Sequence, residues 1–234
     1  MQMIILCGGL ATRLGSLTRK LPKSLIAIQG KPFIQYQLEL LARSGFTEVV
    51  LCIGHLGGEI VKFVGDGGKW GLRINYSGEQ ERLLGTGGAV KKAEDILQER
   101  FFVMYGDSYL PVPFDDIMAV SERAGKLATM VVYRNENRYD RSNVIVDDGV
   151  VKLYDKKARL PEMVHIDAGI SVLRKGALAC APSSEVFPLE ELYQKLVGMG
   201  EMGAYETQQR FYEVGSPRGL DEFRTLVAAG DLQL

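Results

Sequence analysis

The chain has 234 residues, 46% of them hydrophobic, with 28 lysines and arginines against 29 aspartates and glutamates for a formal net charge of −1. That length and apolar content suffice for one large core, and the near-cancelled charge excludes the broad positive field that nucleic acid or an anionic membrane surface needs. Three cysteines (Cys7, Cys52 and Cys180), odd in number and without a CxxC pair, exclude a disulfide framework and a cysteine zinc site, and they fit a reducing cytoplasm.

Met3–Leu6 is a short apolar run with no cationic leader, read as a buried first strand rather than a signal peptide or a membrane span. Pro32 suits a first helical turn, and Ile34, Leu38 and Leu41 follow at helical spacing up to Gly45. Val49–Ile53 reads as strand, Gly58–Val64 as a short helix and Leu72–Tyr76 as strand. Gly87–Leu97 then reads as helix, Phe101–Tyr105 as strand, Phe114–Ala124 as helix and Leu127–Tyr133 as strand. This alternation predicts an α/β fold with a mostly parallel, Rossmann-like mixed sheet and helices on both faces.

The second half reads richer in strands. Val144–Val146 and Val150–Tyr154 flank Asp147-Asp148-Gly149, a hairpin signal, and Gly169–Leu173 is a further strand. Pro188–Val197 reads as helix, Ala204–Thr207 and Phe211–Val214 as a closing pair of strands. Ser216-Pro217 opens a last helix stopped by Gly230. With no linker and no repeat, one domain over 1–234 is expected, residues 1–135 mainly for a nucleotide and 136–234 mainly for a second substrate.

The densest chemical signal is Cys7-Gly8-Gly9-Leu10-Ala11-Thr12-Arg13-Leu14-Gly15, followed by Pro22-Lys23. Paired glycines after a strand let backbone N–H groups approach phosphate oxygens, and Arg13 and Lys23 are donors of fixed charge suited to a triphosphate. GxxxxGK[ST] is absent, and Gly85-Thr86-Gly87 lacks the third glycine of GxGxxG, so a P-loop ATPase and a Rossmann dehydrogenase both lose ground. Gly85-Thr86-Gly87-Gly88 is predicted to open a helix whose bare backbone accepts a base and ribose, with Glu79 before it as a candidate reader of the base edge. Asp107 follows a strand at the carboxyl edge of the sheet, where open α/β folds bind ligands. His55 and His165 have no metal-ligand frame and read as structural.

These motifs resemble those of the sugar-phosphate nucleotidyltransferases. The resemblance runs in order through Gly8-Gly9, Thr12-Arg13, Pro22-Lys23, Gly30-Lys31-Pro32, Leu84-Gly85-Thr86-Gly87-Gly88-Ala89, Tyr105-Gly106-Asp107, Asp155-Lys156, Asp167-Ala168-Gly169 and Val214-Gly215-Ser216-Pro217. The short chain is most similar to members of the heptose 1-phosphate guanylyltransferase and muramic-acid-phosphate uridylyltransferase type. The resemblance implies the nucleotide-diphospho-sugar transferase fold and transfer of a nucleoside monophosphate from an NTP to a sugar 1-phosphate, with release of pyrophosphate. It further implies Mg²⁺, with Mn²⁺ as a possible substitute; the balanced charge leads us to expect no nucleic-acid or membrane partner, and the short chain a monomer or small homo-oligomer.

By the same resemblance Cys7 to Thr12 cradle the phosphates, Arg13 binds the departing pyrophosphate and Lys23 neutralises charge at the α-phosphate. Asp107 and Glu213 are the metal ligands, with Glu213 standing where the family has aspartate. Asn143, Asp155, Lys156, Asp167 and Gly169 form the sugar-phosphate side. Asp155 replaces the family's glutamate, and Asp167 often an asparagine. Asp155 and Glu213 leave open a second reading, a regulatory homologue that binds a nucleotide or nucleotide sugar without turnover.

Overall fold

The computed structural model describes residues 1–9, 21–78 and 82–232. Leu10, Ala11, Thr12, Arg13 and Glu79, all named above as nucleotide ligands, lie outside the described residues.

In chain order the elements are β1 (Gln2–Leu6), a short hairpin of β2 (Ala27–Ile28) and β3 (Lys31–Pro32), α1 (Phe33–Arg43), β4 (Glu48–Ile53), α2 (Gly57–Val64), β5 (Arg73–Gly78) and α3 (Gly85–Lys92). There follow β6 (Arg100–Tyr105), β7 (Ser108–Tyr109), α4 (Phe114–Ala124), β8 (Ala128–Arg134), β9 (Val144–Asp147), β10 (Val150–Tyr154) and β11 (His165–Arg174). The chain ends through α5 (Leu189–Gly198), β12 (Met202–Thr207), β13 (Tyr212–Glu213) and α6 (Pro217–Ala229). No helix among the described residues is long and apolar enough to cross a membrane.

Nine strands from both halves form one sheet in the order β5-β4-β1-β6-β11-β8-β12-β10-β9. β5, β4, β1 and β6 are parallel neighbours, as are β8 and β12; β10 and β11 run against the rest. Every residue of β1 is buried, and the two-residue period of a strand sends its side chains alternately into two cores. Met3 and Ile5 join one core with Phe33, Ile60, Phe114 and Phe223 of α1, α2, α4 and α6. Ile4 and Leu6 join the other with Val90 of α3 and Leu192 and Leu196 of α5. Helices therefore cover both faces, as predicted.

Three local expectations are corrected. The closing pair does not form: β12 enters the main sheet beside β8, while β13 pairs with β7 in a separate ladder. The connection Gln208-Gln209-Arg210 has none of the glycine or asparagine that a tight hairpin turn needs. The helix expected to reach Leu97 stops at Lys92 and gives way to a 3₁₀ turn at Glu94–Ile96. β11 begins at His165, four residues before the expected Gly169, because the chain continues the strand through a register shift between Asp167 and Ser171. Gly169, at φ +86°, supplies the left-handed conformation in that stretch.

The helix α6 starts as expected: the Ser216 hydroxyl accepts the Gly219 N–H at 3.1 Å, Pro217 follows, and Gly230 ends the helix at φ +74°.

From β1 the chain passes through α1 to β4 on one side and, later, through α3 to β6 on the other. The carboxyl ends of β1 and β6 thus flank a topological switch point, where a crevice is left open for ligands. The two ends are drawn tightly together there. The Gly106 N–H donates to the Leu6 carbonyl at 3.1 Å, and a Cβ on Gly106 would lie 2.5 Å from that oxygen, so only glycine fits.

Candidate active site

A cavity of about 240 Å³ opens at this crevice, walled by Cys7, Gly8 and Gly9 after β1, by Lys23, by Gly85 and Thr86, and by Tyr105 and Asp107 after β6. Pro22 leads into a single 3₁₀ turn, Lys23–Leu25, whose Leu25 is buried and anchors the lysine at the cavity wall. The Lys23 ammonium donates to Asp107 Oδ2 at 2.6 Å, with both side chains about one-fifth exposed. Lys23 and Asp107, 84 positions apart, therefore meet at one wall of the cavity. Burial pushes the Cys7 thiol up to about 12, against a smaller lowering by Lys23. Cys7 is a neutral packing group at neutral pH rather than a nucleophile.

The second glycine segment is used differently from the expectation. The N–H groups of Gly87 and Gly88 donate to the Phe187 carbonyl at 3.0 and 3.2 Å, and Phe187 N–H returns a bond to the Leu84 carbonyl at 3.0 Å. Thr86 Oγ1 accepts the Leu189 N–H at 2.8 Å at the start of α5. A Cβ on Gly85 would lie 2.6 Å from the Phe187 carbonyl oxygen, one on Gly87 would collide with the Phe187 ring, and one on Gly88 with the Glu185 carbonyl. Gly85 and Thr86 reach the cavity wall, but Gly87 and Gly88 do not: they seat the segment that leads into α5.

A second cavity, of about 420 Å³, adjoins the first and shares Tyr105 and Asp107 with it. Of the predicted sugar-side residues, Asn143, Lys156, Asp167 and Gly169 line it, as does Glu213. Asn143 Oδ1 accepts the Asp167 N–H at 3.0 Å, and Asp167 Oδ1 accepts the Gly169 N–H at 2.9 Å, so the three form one braced turn. Burial raises the Asp167 carboxyl above its ordinary 3.8, opposed chiefly by the Lys156 charge. The structure does not bring Asp155 into this wall. Its Oδ1 accepts the N–H groups of Lys157 and Ala158 at 2.6 and 2.9 Å, and those bonds, that of Ala158 foremost, hold its carboxyl below 3.8. Asp155 shapes the turn that presents Lys156.

The β7–β13 ladder brings the two expected metal ligands together. Glu213 lies opposite Ser108, and the Val214 N–H donates to the Asp107 carbonyl at 2.8 Å. Glu213 Oε1 accepts the Ser216 hydroxyl at 2.6 Å and Oε2 the Gly215 N–H at 2.9 Å. These bonds fix the orientation of the Glu213 carboxylate. Among the described residues no group of three or more His, Cys, Asp or Glu could hold a metal. Two carboxylates at the wall of one cavity are nonetheless a donor set that suits Mg²⁺, which takes one or two carboxylates and completes its octahedron with phosphate oxygens and water.

Tyr105, which lines both cavities, and Arg141 and Phe211, which line the second, are absent from the sequence-based site. Tyr105 precedes Gly106-Asp107 directly and reads as the last core residue of an apolar strand. Its place beside the key aspartate is the signal that could have marked it.

A family model described as Nucleotidyl transferase matches residues 2–187. D-glycero-alpha-D-manno-heptose 1-phosphate guanylyltransferase of Campylobacter jejuni is 30% identical over 224 residues, covering 95% of this chain and 98% of that protein. Mannose-1-phosphate guanyltransferase beta-A of Xenopus laevis is 28% identical over 93% of this chain, which spans 62% of that longer relative. Among solved structures, HddC from Yersinia pseudotuberculosis complexed with GMP-PN superposes with a TM-score of 0.81 at 25% identity, covering 97% of this chain and 99% of that one. A glucose-1-phosphate thymidylyltransferase structure from Bacillus anthracis shares the fold with a TM-score of 0.85 at 19% identity, over 97% of this chain and 94% of that one. With the family model matched over residues 2–187 and a relative 30% identical over nearly the whole of both chains, the chain belongs to the nucleotidyl transferase family.

Proposed function

We propose that the protein transfers a nucleoside monophosphate from an NTP to a sugar 1-phosphate as a single domain, the crevice between β1 and β6 taking the nucleotide and the adjoining cavity the sugar phosphate. Two cavities joined at Asp107 and Tyr105 carry this reading, because the reaction requires two phosphates to meet at one wall. An oxygen of the sugar phosphate forms a bond to the α-phosphorus while the bond from that phosphorus to the bridging oxygen of pyrophosphate breaks.

The protein's part is placement and charge neutralisation, without a covalent intermediate. Gly8 and Gly9 bring backbone close to the phosphates. Lys23 is positioned to leave Asp107 for the α-phosphate, and Lys156 holds the sugar phosphate. Asp107 and Glu213 would hold Mg²⁺, which would supply positive charge to the phosphate oxygens as they meet.

GTP and a heptose or mannose 1-phosphate are the favoured substrates, supported by the names of the guanylyltransferase relatives. Cys7, Cys52 and Cys180 are thiols rather than disulfide halves, which agrees with a cytoplasmic setting. The test is a matrix of the four NTPs against heptose, mannose and glucose 1-phosphates, read by pyrophosphate release with Mg²⁺ and again in excess EDTA. GTP with one of the first two sugars, active only with metal, is the expected result. Nucleotide binding without pyrophosphate from any pair would establish the regulatory reading instead.

A further inference from the structure

Tyr154, the last residue of β10, is buried, and its hydroxyl donates at 3.0 Å to Oδ2 of Asp167, a residue that lines the sugar-side cavity. With the Gly169 N–H on Oδ1, both oxygens of Asp167 are engaged inside the protein. The Tyr193 ring packs 6.0 Å from that of Tyr154, centre to centre, and its hydroxyl bonds to Ser171. Two residues past this cluster of rings stands Lys156. Its ammonium lies 5.5 Å from the ring centre of Tyr105 and 5.7 Å from that of Tyr154. Among the described residues Lys156 makes no ion pair closer than 4 Å.

The geometry points to Tyr154 as a positioning residue for the sugar phosphate: its ring and that of Tyr105 form the platform that holds the Lys156 ammonium over the cavity, and its hydroxyl ties that platform to Asp167. A long lysine side chain has many rotamers, and a cation within about 6 Å of an aromatic face is attracted to it. Without a salt-bridge partner, the ring faces and the charge of Asp167 limit where the ammonium rests, while its N–H donors stay open to a phosphate. Asp167 is accordingly the anchor of this platform rather than a ligand of the sugar.

The inference rests on Lys156 as the grip on the sugar phosphate, and its test separates the two claims. In the unaltered protein and in Tyr154→Phe, Tyr154→Leu, Lys156→Ala and the Tyr154→Leu/Lys156→Ala double variant, KM is measured for GTP and for the sugar 1-phosphate turned over fastest. The acetylation rate of Lys156 by an amine-reactive ester, followed by mass spectrometry, is measured in parallel and needs no turnover. Tyr154→Leu should raise the sugar-phosphate KM about tenfold, the scale of losing a cation–aromatic contact, with the GTP KM unchanged. Tyr154→Phe, which keeps the ring and loses only the tether, should give a smaller rise, and Tyr154→Leu should add nothing on top of Lys156→Ala.

Lys156 should also be acetylated faster in Tyr154→Leu than in the unaltered protein. Full additivity of the two changes, an unchanged sugar-phosphate KM in a folded Tyr154→Leu, or an unchanged acetylation rate would overturn the platform. A normal sugar-phosphate KM in Lys156→Ala would instead strike the role given to Lys156, and the acetylation rates would still decide the platform.

Discussion

The two cavities that meet at Asp107 are built of different materials. On the proposed assignment, the nucleotide side is walled largely by small residues, Gly8 and Gly9 after the buried strand β1 and Gly85 and Thr86 at the start of α3. The sugar side is walled largely by side chains, Asn143, Lys156, Asp167 and Glu213, carried by antiparallel strands, a displaced register and a two-residue ladder. A phosphate chain common to all NTPs would there be served by fixed N–H groups and one or two cations. A sugar must be distinguished by its hydroxyls, and exchangeable side chains on a rigid sheet do that. One site is thus conservative in its chemistry and the other adjustable, with Asp107 facing both.

The sharpest way to break this division is at the lysine nearest the shared wall. Lys23→Ala removes a charge from the nucleotide side and should lower kcat by about a hundred- to a thousandfold, the cost of losing one donor aimed at a developing charge. Leu25 and the 3₁₀ turn remain, so thermal unfolding should change little. Steady-state kinetics beside a melting curve decide it: normal turnover by a folded Lys23→Ala protein would remove the lysine from the reaction.

A comparable effect, but on stability, is expected from the glycines. In Gly87→Ala the new methyl meets the Phe187 ring, and overpacking of this kind costs about 1–3 kcal/mol. Denaturant melts should show that loss, with KM for GTP little altered, because Gly87 faces α5 rather than the cavity. An unchanged midpoint and a raised KM would return Gly87 to the nucleotide site.

The glycine segment also shows what could be read from the sequence. Gly85-Thr86-Gly87-Gly88 announces that something comes close to the backbone, and the helix start follows as predicted. What comes close is Phe187, about a hundred positions later, and no local pattern names it. The same limit applies to β12 and β13: both strands were visible, but their partners β8 and β7 are set by the tertiary fold. By contrast α4 was legible to its ends, because Pro113, Phe114, Ile117 and Gly125 act within the helix and its caps. Lys23 and Asp107 were each legible as chemistry, but the bond that joins them, 84 positions apart, was not. Tyr154 read only as a strand residue, since burial and a ligand-side hydroxyl look alike in one sequence.

Glu213 offers a gentler change on the shared wall. Glu213→Asp keeps the charge but shortens the reach, so the side chain must release the Gly215 N–H or the Ser216 hydroxyl to stay beside Asp107. A loss of activity of severalfold, on the order of 1 kcal/mol, is the expected scale for one such hydrogen bond. Asp107→Asn should abolish most turnover. Rates measured against Mg²⁺ and Mn²⁺ concentration should show a raised metal requirement in both variants. An Asp107→Asn protein with the wild-type metal dependence would mean that these carboxylates do not hold the ion.

The smallest effect concerns the adjustable side and runs toward stability. Burial raises the Asp167 carboxyl above 3.8 in the folded protein, so the folded chain binds that proton more tightly than the unfolded chain does. The stability linked to this proton is fully present below the ordinary value of 3.8 and is lost as pH rises through the raised folded value. At neutral pH the ionised group is therefore a burden that Lys156 offsets only in part. Asp167→Asn removes the charge while its amide can still accept the Gly169 N–H and donate to the Tyr154 oxygen. Its melting temperature relative to the unaltered protein should accordingly be higher at pH 7–8, and the gain should shrink as the pH is lowered toward 3.8. Paired melts across that range provide the check. An asparagine variant that is less stable at pH 8 than the unaltered protein would show that the Lys156 charge outweighs burial at Asp167, and that this carboxylate is held by attraction rather than merely tolerated.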